Sequence, residues 1–442
     1  MMGGEPQPMQ FGPAGPLKGQ AAVPGDKSIS HRVLMLSAMA VGRSRIEGLS
    51  PGSDVHSTAA ALRAMGARVD RRDGAWEVDG LGTGGLLQPR RALDMGNSGT
   101  STRLLMGLIA SHPVTATFVG DESLCRRPMD RVIAPLARLG ADIVAGPGGR
   151  LPITLRGMAG AVGRDFRLTV ASAQVKSALL LAGLNASGIT RVIEPVPTRD
   201  HSERMLKAFG ARIDVAIGED GERLISLAGE TALEPVHVKV PADPSSAAFL
   251  IVAALIVPGS EVRIERVGVN PMRTGLFEML SAMGADLSFE NAREMSAEPV
   301  ADIVVRHAPL QGVDVPPRIV PAMIDEFPIF FIAAAFARGE SRAHGLAELR
   351  VKESDRITAM ARGLRAIGGR VEESDDGLVI GGSGGDPLPG GAVIASDLDH
   401  RIAMSFAVAG LHCRQPLTVD DMTPVQTSFP GFAAALRGFA AG

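Results

Sequence analysis

Tyrosine is absent from this chain, tryptophan occurs once, at Trp76, and aromatic residues reach only 4%. The interior must therefore be filled by Leu, Ile, Val, Met and Ala, and the aromatic platforms on which single-stranded nucleic acids stack are lacking. Cysteine occurs only as Cys125 and Cys413, too few for the disulfide scaffold of a secreted domain, and no Cys/His cluster has zinc spacing. Neither sign of charge is in large excess: the formal net charge is -3 and the pI is about 6.3. That balance argues against a general nucleic-acid binder while leaving room for a local basic cleft. Long apolar runs are missing too, since 249–257 and 327–337 fall short of the roughly 18 residues needed to cross a bilayer. Residues 1–19 contain no Arg and no continuous apolar segment, unlike a secretory or transit peptide. A cytoplasmic, reducing location away from membranes is expected.

What the chain does have is length, aliphatic residues and repetition. With 442 residues, 45% of them hydrophobic and 21% charged, it is too long for one ordinary core, and two domains of roughly 200 residues each are expected. A short phrase recurs along it: ALRAMGARV, PLARLGADI, MLKAFGARI, MLSAMGADL, GLRAIGGRV and an eroded AALRGFAAG at the C-terminus. Its aligned glycines are Gly66, Gly140, Gly210, Gly284, Gly368 and Gly438, so six repeats are expected. Each phrase reads as an amphipathic helix closed by a C-cap glycine and followed by a strand. The segments ARVDRRDGAWEVDG and GRVEESDDGLVIGG each show two β-rich runs around an Asp-Gly pair, a hairpin signal.

A second, more apolar series of helices is expected at 28–40, 100–110, 173–184, 245–255, 327–337 and 401–411. Helices apolar on most sides belong inside a domain. Each follows a polar loop: PGDKS, GNSGT, ASAQ, ADPSS, IDEFP and LDHR. If the repeats share one fold, these six helix N-termini occupy equivalent places and can converge on one cleft, where free N–H groups and the helix dipole attract anions. Three repeats fall before about residue 242 and three after it, with the Pro-rich stretch VPADPSS at 240–246 as the candidate hinge. The expected fold is α/β, with two similar domains.

Several of these loops carry chemistry. PGDKSISHR puts Lys27, Ser28 and Arg32 at one helix start; it is not a Walker A loop, because Asp26 separates Gly25 from Lys27. GNSGTSTRL offers Gly99 for close backbone approach and Arg103 one turn into its helix, and RRPMDR places Arg127 before Pro128. SAQVKS brings small hydrogen-bonding groups to a helix entrance, TRDHSERM adds Arg199, and Asp325 and Glu326 precede an apolar run. RVKESDRI supplies Lys352, Glu353 and Arg356, and DHRIAM supplies His400 and Arg401. Taken singly, each of these has a plain alternative as a capped or solvated helix start; their recurrence at equivalent repeat positions does not. GLGTGG matches G-x-G-x-x-G, but LLQP follows it rather than a helix, so no nucleotide cofactor is expected.

The segments PGDKSISHR, GNSGTSTRL, RRPM, SAQVKSALLLAGL, TRDHSERML, DPSSAAFL, IDEFPI, LRVKESDRI, LDHRIAM and TSFPGF, in this order over about 17–436, closely resemble the 3-phosphoshikimate 1-carboxyvinyltransferase (EPSP synthase) family. SAQVKSALLLAGLN and RVKESDRI are most similar to the bacterial class that includes glyphosate-tolerant members. The resemblance implies an enolpyruvyl transferase fold, inverse α/β barrel-like, with two domains of three βαβαββ repeats that close like a clamp on their substrates. The first would span 25–241 and the second 1–24 with 242–442, the strand near 17–23 crossing into the latter. It implies a monomer without metal or organic cofactor.

For shikimate 3-phosphate the resemblance points to Lys27, Ser28, Arg32, Ser172, Ala173, Gln174, Arg199, Asp325 and Lys352. For phosphoenolpyruvate it points to Lys27, Gly99, Arg127, Gln174, Arg356 and Arg401. Catalytic work would fall to Asp325 as base at the attacking hydroxyl, with Lys27 and Glu353 handling protons. Two departures stand out: Thr427 occupies a position that is Lys in many relatives, and Gly99 is Ala in many tolerant ones, so glyphosate should bind. The sister transferase acting on UDP-N-acetylglucosamine is the nearest alternative. It would place a Cys five residues before its Arg-Pro and an Asn after the first active-site Lys, whereas Cys125 is two before Arg127 and Ser28 follows Lys27. A non-catalytic repeat scaffold would not be expected to keep these charged residues.

Overall fold

The computed structural model describes residues 5–439. The chain forms two compact units, one of residues 25–240 with 295–298, the other of residues 5–24, 241–294 and 299–439. The short insertion 295–298 joins the first unit by local bonds: buried Glu298 pairs with His201 Nδ1 at 2.7 Å, Ala297 O accepts from Arg204 Nη1, and Ser296 Oγ accepts from Lys239 N.

Each unit has its own aliphatic core. Three apolar helices run through each: Lys27–Met39, Gly99–Ala110 and Ala173–Gly183 in the first, Pro244–Ile256, Phe327–Phe336 and His400–Gly410 in the second. They are buried almost throughout, which suits helices without a wide polar face. Glycine lets two of them touch: a Cβ on Gly107 would lie 2.2 Å from Ala178 O. Among the described residues no single helix is long and apolar enough to cross a membrane.

Mixed sheets and amphipathic helices complete the units. In the first, Leu93–Asp94 pairs in parallel with Thr115–Val119, which is antiparallel to Arg150–Arg156, itself antiparallel to Asp142–Gly146. The sheets His237–Lys239/Arg43–Glu47/Ala75–Asp79/Arg68–Arg72 and Asp165–Arg167/Ile189–Glu194/Arg223–Ala228/Ile213–Ile217 repeat that order. In the second unit Lys18–Ala21 is the parallel edge beside Glu261–Gly268. The Glu340–Ala343 sheet has only isolated bridges, Gln311 to Arg338 and Asp314 to Arg342, at that edge.

The glycine phrase works as a helix stop in five copies: Gly66, Gly140, Gly210, Gly284 and Gly368 have φ between +80° and +120°, and a strand follows each. The sixth copy departs from expectation. Gly438 lies inside the helix Phe432–Phe439, and the copy's last residues, 440–442, lie outside the described residues. Met9–Phe11 pairs antiparallel with Leu417–Val419.

One hairpin also differs. Asp73 and Gly74, both at positive φ, form the expected turn between Arg68–Arg72 and Ala75–Asp79. The other turn falls on Asp375 and Asp376, one residue earlier than the Asp-Gly pair predicts, because Ser374 pairs with Gly377. Gly377 is needed for space, since its Cβ would sit 2.0 Å from Ala343 O.

Candidate active site

A helix leaves its first N–H groups without intrahelical partners, so each buried helix of this protein must cap its N-terminus or offer it to a ligand. Asp26 accepts from Ile29 N, Ser98 from Ser101 N, Ser172 from Val175 N, Asp243 from Ser245 N and Asp399 from Arg401 N. Glu326 is the exception: it occupies the cap position of Phe327–Phe336 without bonding its backbone.

In the first unit, cations gather at these helix starts. Lys27 Nζ is 3.0 Å from buried Asp54 Oδ2. Arg32, buried, donates through Nε to Ser202 Oγ at 2.8 Å, through Nη2 to Ser177 Oγ at 2.7 Å and through Nη1 to Ser28 O at 2.8 Å. Arg103 Nη1 donates to Gln174 Oε1 at 2.9 Å, and Gln174 Nε2 to Thr100 Oγ1 at 3.0 Å. Arg127 donates through Nη2 to Asn97 Oδ1 and Ser123 Oγ. Beneath them His31 lies fully buried, bonded to Thr58 Oγ1 at 2.8 Å, with Thr58 and Ser98 both bonded to Ser101. Burial first, then Lys27 and Arg32, push His31 well below the usual imidazole range, so it is neutral.

In the second unit, carboxylates interleave with the cations. Arg356, almost fully buried, reaches Asp399 through Nε at 2.7 Å, Glu353 through Nη2 at 2.7 Å and Asp325 through Nη1 at 3.5 Å. Burial disfavours the cation, but these three carboxylates outweigh it and raise Arg356 above its ordinary value. Burial likewise works against ionised Asp399, yet the adjoining Arg356 holds its carboxyl below the usual range. Lys352 Nζ is 3.4 Å from Asp325 Oδ1 and 3.7 Å from Glu348 Oε1. Arg401 Nη1 donates to Asp325 O at 2.6 Å and Glu326 Oε1 at 3.2 Å. Among the described residues no group of three or more His, Cys, Asp and Glu is arranged to hold a metal ion.

The residues singled out from the sequence thus fall into two sets. Lys27, Ser28, Arg32, Gly99, Arg127, Ser172, Ala173 and Gln174 lie at or beside three helix starts of the first unit, and Arg199 lies in the loop before the helix His201–Ala208. Asp325, Lys352, Glu353, Arg356 and Arg401 lie together in the second. The Asp325 carboxylate is not a helix cap but is flanked by Lys352 and Arg356. The half-buried Thr427 donates its hydroxyl to Pro424 O. Sequence reasoning missed Asp54, Asn97, Ser123 and Asp399 as partners of Lys27, Arg127 and Arg356. These pairs join distant positions, and no local spacing marks them; only the recurring loop starts hinted at Asn97 and Asp399.

A model of the EPSP synthase (3-phosphoshikimate 1-carboxyvinyltransferase) family matches residues 12–436. The chain is 64% identical over 436 residues to the 3-phosphoshikimate 1-carboxyvinyltransferase of Sphingopyxis alaskensis, covering 98% of each chain. It is 60% identical over 428 residues to that of Zymomonas mobilis, covering 96% of this chain and 94% of the other. Among solved structures, EPSP synthase from Acinetobacter baumannii superposes with a TM-score of 0.85 at 45% identity, covering 98% of each chain. The enolpyruvyl transferase NikO from Streptomyces tendae superposes at 0.78 with 19% identity over the same share, a likeness of fold alone.

Proposed function

This chain belongs to the EPSP synthase (3-phosphoshikimate 1-carboxyvinyltransferase) family, and we propose that it transfers the enolpyruvyl group of phosphoenolpyruvate to the 5-hydroxyl of shikimate 3-phosphate in the shikimate pathway. The observation that carries the reading is the gathering of Lys27, Arg32, Arg103 and Arg127 in one unit and Lys352, Arg356 and Arg401 in the other, all at helix starts or beside them. Two substrates bearing two phosphates and two carboxylates call for that many forks and ammonium groups.

The 5-hydroxyl oxygen bonds to C2 of phosphoenolpyruvate while C3 takes a proton, giving a tetrahedral intermediate. Loss of a C3 proton and of the C2–O bond to phosphate then yields the enolpyruvyl ether and inorganic phosphate. Asp325 takes the hydroxyl proton, and Lys27 and Glu353 move the others. Arg356 and Arg401 hold the phosphoenolpyruvate carboxylate; Gly99, Gln174, Lys27 and Arg127 hold its phosphate side. Lys27, Ser28, Arg32, Ser172, Ala173, Gln174, Arg199, Asp325 and Lys352 hold shikimate 3-phosphate. The enzyme works as a cytoplasmic monomer without cofactor, membrane or nucleic-acid partner. The sister reaction on UDP-N-acetylglucosamine is not favoured: Ser28 follows Lys27, and the Cys125 thiol points to Gly120 O.

The test is phosphate release on mixing with both substrates and on omitting each in turn; release without shikimate 3-phosphate, or none with both, overturns the reading. Glyphosate should inhibit. A Cβ at Gly99 would lie 2.7 Å from Arg103 Nη1 and 3.3 Å from Arg127 Nη1, so a methyl crowds two anion-binding guanidinium groups. Gly99→Ala should weaken glyphosate more than phosphoenolpyruvate, by roughly 1 kcal/mol or more. An unchanged ratio of inhibition constant to Michaelis constant would sink that steric argument.

A further inference from the structure

A lysine without solvent exposure sits directly beneath the first unit's helix starts. Lys176 is in the first turn of Ala173–Gly183, and its ammonium group donates to Glu194 Oε2 at 2.9 Å, Glu203 Oε1 at 2.9 Å and Thr198 O at 3.2 Å. Three donors meet three acceptors, so the ammonium is fully used. Arg223 supplies the second cation, 3.8 Å from Glu194, 3.5 Å from Glu203 and 3.4 Å from Thr198 O. Thr198 Oγ1 donates to Glu194 Oε1. Two cations and two carboxylates thus balance inside an aliphatic surround.

Stability is a weak reason for such a quartet, since well-packed apolar residues in place of a buried ion cluster are commonly as stable or more so. What ions offer is direction. Glu194 ends the strand Ile189–Glu194, Thr198 immediately precedes Arg199, and Glu203 lies on His201–Ala208. Lys176 ties all three to the helix that begins at Ser172, and the next residue, Ser177, bonds Ser202 at 2.7 Å and takes a bond from Arg32.

We propose that Lys176 is the positioning residue of the shikimate 3-phosphate site, holding the Ser172–Ala173–Gln174 helix start in register with the Arg199 loop and the Arg32 anchor. The proposal rests on the function proposed above. Lys176→Met alone would leave two buried carboxylates with Arg223 as their one cation, and burial already pushes Glu194 above its usual range. The informative variant is therefore Lys176→Met with Glu203→Gln, which restores charge balance while removing the tether to Thr198.

The intact enzyme and its variants are compared by calorimetric binding of shikimate 3-phosphate and by steady-state kinetics. In the double variant the dissociation constant and KM for shikimate 3-phosphate should rise at least about tenfold, the scale of one charge-assisted hydrogen bond. KM for phosphoenolpyruvate, which Gln174 also contacts in the proposed site, should rise less than that for shikimate 3-phosphate, saturating kcat should stay within roughly threefold, and Lys176→Arg should recover part of the loss. A folded double variant that binds shikimate 3-phosphate like the wild type, or that loses kcat and both KM values together, overturns the proposal. If the double variant does not fold, Thr198→Val decides by the same readouts, because it cuts the hydroxyl bond that ties the Arg199 loop to Glu194, the carboxylate Lys176 holds, and leaves the charges intact. Wild-type protein that binds no shikimate 3-phosphate overturns the function itself, an outcome distinct from a loss confined to the variants.

Discussion

Within each unit, the bonds that aim the guanidinium groups at the buried helix starts differ in kind. In the first, Arg32 is aimed by Ser177, Ser202 and a carbonyl, Arg103 by Gln174, and Arg127 by Asn97 and Ser123. In the second, Arg356 is held by Asp399, Glu353 and Asp325, and Arg401 by Glu326. A hydroxyl or amide fixes the direction of a guanidinium without opposing its charge; a carboxylate fixes it more firmly and offsets the charge. In the function proposed above, the first arrangement leaves cationic charge for phosphates. The second, in that same function, adds carboxylates that can move protons beside a buried cation.

The sharpest way to break this comparison is Asp399→Asn. Removing the charge of one member of a fully buried pair should destabilise the protein by about 3 kcal/mol or more, read as a lower melting temperature. The pH dependence has a definite sign. Asp399 has a depressed folded pKa, so its contribution is present above the ordinary carboxylate range of about 4 and is lost as pH falls below it. A variant as stable as the wild type at pH 7 would mean that the carboxylates of this unit are not what holds Arg356.

Asp325→Asn comes next. Turnover should fall by at least about 100-fold, the scale of a lost general base, with the fold retained by circular dichroism. Near-normal kcat would return Asp325 to a purely structural part beside Lys352.

His31 gives the first unit a different acid limit. Its folded pKa is lowered, so the unfolded chain binds the extra proton, and stability should decline by up to about 1.4 kcal/mol per pH unit as pH falls below about 6.5. His31→Gln should flatten that slope in melting curves while leaving the Asp399 limb near pH 4 in place.

The smallest effect is expected from Ser123→Ala. One neutral partner of Arg127 is lost, and KM for phosphoenolpyruvate should rise by roughly fivefold, the equivalent of about 1 kcal/mol. A loss of 100-fold or more would show that hydroxyl partners matter as much as carboxylates, and the contrast between the units would lose its meaning.

Much of this was legible before any coordinate. The recurring glycine phrase marks five helix stops because the left-handed conformation at Gly66, Gly140, Gly210, Gly284 and Gly368 admits few other residues. The six buried helices begin and end within about two residues of the apolar runs, since a helix without a polar face has nowhere to lie but the interior. Legibility fails where a feature depends on a distant neighbour. Gly438 has the phrase but lies inside the helix Phe432–Phe439, and Gly377 is a glycine because Ala343 is near, not because a turn requires it.

The composition, the repeat and the order of loop motifs by themselves determine two aliphatic cores, six polar helix starts and a supply of cations at or near them, because propensity, periodicity and capping are local properties of the chain. Tertiary structure alone decides what each cation does. Lys27 meets Asp54, Arg356 meets Asp399 and Lys176 meets Glu194 and Glu203 across 18 to 43 residues of intervening sequence. Charge pairing acts through space over a few ångströms, so partners can be chosen only once the helices and loops that carry them have packed.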